Sequence, residues 1–329
     1  MKVLVIGAGA IGGLIGGRLA LAGHEVTLVD KPDPVAAFKA RGLTVIDRDG
    51  AAAKPNNVAA LTAAAELPDP DLVILSVKAQ DIGDVAQLAG RCTSRGVPLI
   101  TVQNGIPWWY FQRHGGDLEG TRLTSLDPDG RIGESIDPQH IVGCVAYPAA
   151  EVVEPGVVRH IEGSGLPIGE LDGRERQRTG AISQALRSAG FKAPVVNDIR
   201  PELWLKAWGA LSFNPISALT GATMRAICVN PSTHRIVADM MREAQQVAER
   251  FGVVFRVGLE RRIEGAARVG DHKTSMLQDR EAGRRLEVEA LVGSVVEIAA
   301  LADIRTPTID AVYALTKLLD EQIAARQTT

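Results

Sequence analysis

The sequence predicts a two-domain α/β protein, with an N-terminal domain built on a parallel sheet and an all-α domain behind it. The chain has 329 residues, a length that suits two domains of roughly 150 residues each. Up to about residue 196, short apolar runs alternate with alanine-rich helical stretches. From residue 201 onward the pattern is that of long helices with few strand signals. We therefore expect domains at residues 1–196 and 197–329.

The first domain is predicted from five apolar runs that read as strands, at residues 3–6, 26–29, 72–77, 98–102 and 141–147. Their alternation with helical stretches indicates βαβ units on a parallel sheet.

Two other features of the first domain are not βαβ units. Residues 107–140 interrupt the pattern with an aromatic cluster and a stretch rich in Gly, Asp and Pro, which we interpret as an insertion or long loop that could act as a lid. The runs 152–153 and 157–161 flank Glu154-Pro155-Gly156, which suits a tight turn. A hairpin is therefore expected to close this domain.

The second domain is predicted from five stretches of helical periodicity, at residues 202–219, 233–251, 259–269, 286–302 and 308–325. The last four residues, 326–329, are expected to fray.

Composition narrows the classes of function. The chain has 46% hydrophobic residues and 23% charged residues. Its net charge of −3 gives no excess of positive charge that would attract nucleic acid. No stretch reads as a signal peptide or a membrane span, so we expect a cytoplasmic protein with no membrane partner. The three cysteines and six histidines are scattered without metal-ligand spacing, and no metal site is predicted.

A glycine pattern follows the first predicted strand and opens a helix. It is GxGxxG, formed by Gly7, Gly9, Ala10, Ile11 and Gly12. Its first glycine allows a tight turn, its second lets the backbone approach a pyrophosphate, and its third lets the helix pack closely on the strand. The helix N-terminus then offers free N–H groups to the phosphates. The first domain is therefore predicted to be a Rossmann-type dinucleotide-binding domain.

The end of the second predicted strand carries two charges of opposite sign. Asp30 is placed where a carboxylate accepts hydrogen bonds from the adenosine ribose, which favours NAD. Lys31 favours NADP, because a cation there pairs with a 2′-phosphate. The alternative is a solvated pair without a ligand role.

Two polar residues follow further strands at the same predicted edge of the sheet. Lys78 follows the third run and Asn104 the fourth, so both are expected in the crevice outside the carboxyl ends of the strands. The alternative is that they are ordinary polar loop residues.

Motifs spread along nearly the whole chain match one family in order and spacing. They are GxGAIG at residues 7–12, Val-Lys-Ala-Gln at 77–80, Asn104-Gly105, Lys206, Asn214, Ser-Met-Leu-Gln-Asp at 275–279, and Glu287. This set resembles the ketopantoate reductase family. The resemblance implies a helical second domain like the C-terminal domain of 6-phosphogluconate dehydrogenase, and a place in pantothenate biosynthesis.

The resemblance also implies a role for each matching residue. Lys206 corresponds to the catalytic lysine, and Glu287 to the carboxylate that completes the site beside the cofactor ribose. Asn104, Asn214 and Ser275 correspond to substrate contacts. Lys78 and Asn104 are also expected against the cofactor, which is NADP in most of the family.

Physical arguments support two of these assignments. Lys206 is a single ammonium between Trp204 and Trp208, where loss of water favours proton donation. Glu287 shares a predicted helix face with Leu291 and Ser294, so that a carboxylate heads a largely apolar stripe and requires a partner. A purely structural ion pair between Lys206 and Glu287 is the alternative.

The chain also departs from the family pattern. Ala210 stands one helical turn after the lysine where an asparagine is common, and His272 stands three residues before the serine where another asparagine is common. Asp30 and the insertion at 107–140 are further departures. His272 is therefore a candidate replacement contact for the substrate, and these changes concern substrate choice more than reaction type.

The sequence thus predicts reduction of a small 2-oxo acid by NADP(H) or NAD(H) in the interdomain cleft, with Lys206 as general acid. Two alternatives stay open. One is a β-hydroxy acid dehydrogenase, and the other is a dinucleotide-binding sensor that has lost catalysis. The oligomeric state is open too, with a homodimer as one option.

Overall fold

The computed structural model describes residues 1–327 and divides into two compact units. The first comprises Met1–Gln103, Phe111–Arg122 and Asp129–Ile199, and the second comprises Asn104–Tyr110, Leu123–Pro128 and the chain from Arg200 onward. All strands lie in the first unit, and the described part of the second is helical. The predicted fold class, a Rossmann-type α/β domain followed by an all-α domain, is confirmed.

The first unit contains a seven-stranded and a four-stranded sheet. The strands are β1 (Lys2–Ile6), β2 (Glu25–Val29), β3 (Thr44–Ile46), β4 (Ala52–Ala53), β5 (Val58–Leu61), β6 (Leu72–Leu75), β7 (Leu99–Thr101), β8 (Ile141–Cys144), β9 (Ala149–Glu154), β10 (Val157–Glu162) and β11 (Ile168–Glu170). The larger sheet has the order β11-β8-β7-β6-β1-β2-β5 and is parallel except for β11. The five predicted runs correspond to β1, β2, β6, β7 and β8.

Five helices belong to this unit: α1 (Ala10–Leu21), α2 (Pro32–Arg41), α3 (Ile82–Thr93), α4 (Arg131–Ser135) and α5 (Gln177–Ser188). The central strand β1 is apolar from Val3 to Ile6, and each of these side chains is at most 2% exposed. A continuous apolar run of this kind is what a strand covered on both faces requires.

The predicted hairpin is formed by β9 and β10, which pair antiparallel. The expectation that it closes the domain is wrong, because β11 and α5 follow it. The hairpin instead joins β3 and β4 in the smaller sheet. This sheet packs on α1 where glycines leave room: a Cβ atom on Gly17 would lie 2.4 Å from the side chain of Val45, and one on Gly13 would lie 2.8 Å from that of Val158.

The second unit contains seven α-helices among the described residues. They are α6 (Arg200–Thr220), α7 (Met224–Val229), α8 (Pro231–Arg250), α9 (Leu259–Arg268), α10 (Ser275–Glu281), α11 (Ser294–Leu301) and α12 (Pro307–Gln327). The five predicted helices correspond to α6, α8, α9, α11 and α12, whereas the short helices α7 and α10 were missed.

Two expectations about helix ends need correction. A π-helical turn at Glu289–Gly293 directly precedes α11, so regular α-helix does not run from residue 286. Arg326 and Gln327 belong to α12 and are not frayed, while residues 328 and 329, which were also expected to fray, lie outside the described part. None of the described helices is both long and apolar enough to cross a membrane.

The aromatic cluster after Pro107 is part of the core. Trp109, Tyr110 and Phe111 are fully buried. The hydroxyl of Tyr110 accepts a hydrogen bond from Nε1 of Trp204 at 2.7 Å, and its carbonyl accepts one from Nε of Arg200 at 2.9 Å. The expectation of a lid is therefore wrong for this cluster, because a lid would have to expose these rings whenever it opened.

Candidate active site

The glycine loop between β1 and α1 has the geometry that a dinucleotide requires. Gly7 has φ +95°, and a Cβ atom there would lie 2.6 Å from the backbone nitrogen of Val77. A Cβ atom on Gly12 would lie 2.0 Å from the carbonyl oxygen of Gly7, whereas one on Gly9 would meet nothing within 4 Å. Gly7 and Gly12 thus close the turn, and Gly9 leaves open space. That space fits a pyrophosphate beside the first turn of α1, which begins with Ala10 and Ile11.

Asp30 contacts this loop directly. Its Oδ2 accepts a hydrogen bond from the backbone N–H of Ala8 at 2.6 Å, and its Oδ1 accepts one from the N–H of Lys31 at 2.7 Å. Each carboxylate oxygen keeps a further lone pair for a ribose hydroxyl. Asp30 therefore supports the glycine loop in addition to the ligand role expected for it.

The two lysines expected near the cofactor differ in exposure. Lys31 precedes α2 and is exposed, and Lys78 is half-buried where β6 leads into the 3-10 turn at Ala79–Asp81. Both positions are in the first unit, together with the glycine loop.

Lys206, Asn104 and Glu287 are brought together in the second unit. Nζ of Lys206 donates to Oδ1 of Asn104 at 2.8 Å, and Nδ2 of Asn104 donates to Oε2 of Glu287 at 3.2 Å. Glu287 is 8% exposed, and Lys206 and Asn104 are half-buried. The amide thus lies between an ammonium and a carboxylate and has a hydrogen bond with each.

The position of Asn104 depends on the next two residues. Gly105 has φ +81°, and a Cβ atom there would lie 2.0 Å from the carbonyl oxygen of Ala290. The N–H of Ile106 donates to that same oxygen at 2.9 Å. Because only glycine allows this approach, Gly105 holds Asn104 against the segment that carries Glu287.

The position of Glu287 corrects the helix-face argument made from the sequence. Glu287 precedes the π-helical turn, and its carbonyl accepts the N–H of Leu291. The i→i+4 bond keeps Leu291 one turn after Glu287, but the π turn adds a residue to the repeat, so the regular 3.6-residue spacing does not extend from Glu287 to Ser294. Such turns are frequent at functional sites.

Asp320 on α12 anchors the chain just before Glu287. One of its oxygens accepts the backbone N–H of Leu286 at 2.7 Å, and the carboxylate pairs with Arg285, whose terminal nitrogen is 2.6 Å away. Asp320 is 6% exposed. The sequence argument missed this residue, because Asp320 is separated from Glu287 by more than 30 positions and no local pattern joins them.

Lys206, Ala210 and Asn214 form the accessible stripe of α6. From Ala207 to Ala218, only Ala210 and Asn214 are half-buried, and every other residue is buried. These three positions are four residues apart and so lie along one side of the helix. The side-chain amide of Asn214 has no hydrogen-bond partner within the described residues. The stripe therefore presents an ammonium, a methyl group and an amide on one face.

Ser275 and His272 are placed less directly. Ser275 is exposed and begins α10, which packs on α6 and ties to it through a 2.6 Å hydrogen bond from Arg280 to the carbonyl of Ala218. The carbonyl of His272 accepts the N–H of Met224 at 3.0 Å. No hydrogen bond among the described residues joins Ser275 or His272 to Lys206, Asn104 or Glu287.

Comparisons with known proteins agree along the whole chain. The family described as "Ketopantoate reductase PanE/ApbA" matches residues 3–173, and its C-terminal counterpart matches residues 198–320. A 2-dehydropantoate 2-reductase of Mesorhizobium japonicum is 46% identical over 324 residues, which cover 97% of this chain and 98% of that protein. A 2-dehydropantoate 2-reductase of Halobacterium salinarum is 30% identical, with 97% and 98% covered.

A solved structure adds the same relationship in three dimensions. The crystal structure of a candidate ketopantoate reductase from Ralstonia solanacearum MolK2 superposes with a TM-score of 0.92 at 36% identity and covers 98% of both chains. The chain belongs to the ketopantoate reductase family, and it is an NAD(P)-dependent oxidoreductase that acts on CH–OH groups.

Proposed function

We propose that this protein reduces a small 2-oxo acid to the 2-hydroxy acid, as a 2-dehydropantoate 2-reductase does, with Lys206 as the general acid. The observation that carries the proposal is the hydrogen-bonded chain from Lys206 through Asn104 to Glu287, at 2.8 and 3.2 Å. These hydrogen bonds support a mechanism in which Asn104 orients the ammonium of Lys206 and the carboxylate of Glu287 balances its charge, on the accessible stripe of α6.

Lys206 is proposed to stabilise the charge that develops on the substrate and to supply the proton. The nicotinamide cofactor, when bound, supplies the hydride for the carbonyl carbon of the substrate. Negative charge then develops on the carbonyl oxygen, where Nζ of Lys206 donates a hydrogen bond and passes a proton. The general acid contributes on the order of 100-fold or more to the rate.

Asn104 and Glu287 support this proton transfer. Asn104 fixes the direction of the ammonium through its Oδ1, and Glu287 stabilises the amide in that orientation by accepting its Nδ2 hydrogen. The negative charge of Glu287 also offsets the positive charge of the lysine before substrate arrives.

The remaining contacts determine the substrate. Asn214 is free to bind a hydroxyl or carboxylate, with Ser275 and His272 proposed as further contacts from the residues before and within α10. Ala210 contributes only a methyl group between Lys206 and Asn214. We therefore propose better activity on bulkier or less hydroxylated 2-oxo acids than on 2-dehydropantoate itself.

Asp30 supports the proposal that the enzyme uses NAD(H) at least as well as NADP(H). Its carboxylate lies at the glycine loop and would repel a 2′-phosphate, although Lys31 next to it would attract one. The interdomain location of the substrate, the cytoplasmic location and the homodimer stay predictions from the sequence.

The alternatives are separated by one assay. Purified protein is mixed with NADH or NADPH, and absorbance is followed across a panel of 2-oxo acids that includes 2-dehydropantoate. Consumption of cofactor with a 2-oxo acid supports the proposal. Activity confined to oxidation of 3-hydroxy acids would identify a β-hydroxy acid dehydrogenase, and tight cofactor binding without turnover on any substrate would identify a sensor.

A further inference from the structure

Arg262 on α9 lies directly against the helix that carries Lys206. A Cβ atom on Gly209 of α6 would be 2.7 Å from a terminal nitrogen of Arg262 and 3.3 Å from the central guanidinium carbon. Apart from the neighbouring backbone of α6 itself, the three heavy atoms nearest to that position all belong to Arg262. The guanidinium group therefore rests on the backbone of α6, in a space that any side chain at position 209 would fill.

Glycine at position 209 is unfavourable for the helix and leaves room for this contact. Glycine inside a helix costs roughly 1 kcal/mol relative to alanine, and Gly209 lies in the middle of a 21-residue helix. Its φ angle is not in the left-handed region, so backbone conformation does not require glycine here. The space that a side chain at position 209 would take is instead occupied by the guanidinium of Arg262.

Arg262 differs from the other shielded arginines in having no partner. Seven arginines among the described residues are buried or half-buried. Six of them donate to a carboxylate or a backbone carbonyl: Arg18, Arg113, Arg176, Arg178, Arg200 and Arg280. The guanidinium of Arg262, by contrast, has no hydrogen bond, ion pair or aromatic contact within the described part of the chain.

The location of Arg262 relates it to the accessible stripe of α6. Gly209 follows Lys206 by three residues, and side chains at that spacing are neighbours with Cβ atoms about 5–6 Å apart. The unpartnered guanidinium thus contacts α6 three residues along the helix from the proposed proton donor. A half-buried guanidinium without an acceptor, against the helix that carries a second cation, is suited to bind an anion.

We propose that Arg262 binds the carboxylate of the 2-oxo acid substrate. This inference rests on the proposed function, because it gives the charged end of that substrate a partner. A planar guanidinium matches a carboxylate with two parallel hydrogen bonds, which fixes the orientation of the substrate as well as its affinity. Lys206 is then left to the carbonyl oxygen.

The test compares an acid with a neutral analogue. Steady-state reduction of a 2-oxo acid and of its methyl ester is measured with the wild type, Arg262→Gln and Arg261→Gln. Arg261 is the neighbouring exposed arginine and serves as the matched control. For Arg262→Gln we expect KM for the acid to rise by roughly 10- to 100-fold, as loss of a hydrogen bond to a charged group corresponds to, with KM for the ester nearly unchanged.

A second variant tests the contact without removing the arginine. Gly209→Ala displaces the guanidinium, so KM for the acid should rise in the same direction while thermal stability is kept or increased. Equal KM values for the acid in wild type and Arg262→Gln would overturn the inference and leave the proposed function standing. Failure of the wild type to reduce any 2-oxo acid would instead remove the proposed function, and the inference with it.

Discussion

Nζ of Lys206 donates a hydrogen bond to Oδ1 of Asn104 at 2.8 Å, although the two residues are 102 positions apart in the chain. The other end of the amide faces the carboxylate of Glu287, 183 positions from Asn104. Charge alone sets the direction of the amide, because the reverse orientation would turn its N–H groups toward the ammonium and its oxygen toward the carboxylate. Asn104 therefore joins an acid and a base that cannot be related by local sequence.

Asn104→Asp should disrupt the hydrogen-bonded chain from Lys206 through residue 104 to Glu287, and the effect should depend on pH. The introduced carboxylate still accepts from Lys206, but it opposes Glu287, because neither group has a hydrogen to donate when both are ionised. We expect kcat/KM to fall by at least about tenfold at pH 8. At lower pH one of the two carboxylates binds a proton and restores the donor, so the ratio of wild-type to variant activity should narrow toward pH 5.5.

The measurement is a pH profile of kcat/KM for both proteins. Asn104→Ala is the control, since it removes the amide without adding charge and should lose activity by a ratio that does not narrow with pH. A profile of Asn104→Asp parallel to that of the alanine variant would contradict the bridging role.

Lys206→Ala should lower kcat by roughly 100-fold or more, because it removes the general acid. Cofactor binding should change little, since the glycine loop belongs to the first unit and the lysine to the second. Stopped-flow turnover and cofactor fluorescence provide the two readouts, with the exposed Lys273→Ala as control. Unchanged turnover would remove the catalytic assignment, and a large loss of thermal stability would favour a structural ion pair.

Ala210→Asn should change substrate preference. The added amide would lie between Lys206 and Asn214 on the accessible stripe, where it can bind a substrate hydroxyl for about 0.5–1.5 kcal/mol. We expect kcat/KM for 2-dehydropantoate to rise relative to apolar 2-oxo acids by about 2- to 10-fold. Competition between the two substrates measures this ratio directly. An unchanged ratio, together with efficient wild-type turnover of 2-dehydropantoate, would refute this account of specificity.

Asp30→Ala should shift cofactor preference toward NADP(H), because it removes the charge that opposes a 2′-phosphate beside Lys31. It should also weaken both cofactors somewhat, since the N–H of Ala8 loses its acceptor. Asp30→Asn is the control, because it keeps an oxygen for Ala8 and removes only the charge. Fluorescence titration with both cofactors decides the matter: a wild-type preference for NADPH above about tenfold, or 1.4 kcal/mol, is the contrary result.

Asp172 should make the stability of the first unit depend on acid pH. The guanidinium of Arg176, together with that of Arg113, holds the pKa of Asp172 well below its usual range. A carboxylate whose folded pKa is lowered stabilises the protein above its unfolded pKa, near 4, and this contribution is lost as pH falls toward the lower folded value. Asp172→Asn should therefore reduce the free energy of unfolding by about 1–3 kcal/mol at pH 7.

Urea denaturation at pH 7 and at pH 3 measures this effect, and the difference from wild type should be smaller at pH 3. Asp69→Asn is the matched control, because its ion pair with Arg95 is largely exposed and should contribute less than about 1 kcal/mol. A deficit in Asp172→Asn that grows as the pH falls would reverse the expected sign.

The parts of this protein that local sequence determined are those with a short repeat or a fixed spacing. The glycine loop is a pattern of six residues whose turn, open space and close packing all follow from the absence of side chains. Apolar runs of four to seven residues marked the parallel strands, and five helices of the second unit showed their own periodicity. The short strands β3 and β4 gave no such signal, because β3 is held by pairing with β10 and β4 by pairing with β3, rather than by their own composition.

Tertiary structure alone decided how the site residues meet. The sequence assigned Asn104 to a strand end of the first domain, yet by its contacts it belongs to the second unit, because Gly105 and Ile106 pack on Ala290. The π turn that offsets Glu287 and the contact of Arg262 with Gly209 are likewise absent from any local pattern. Periodicity describes a helix by itself, whereas contacts between residues far apart in the chain depend on how whole elements pack, and that packing decided where the chemistry of this chain is assembled.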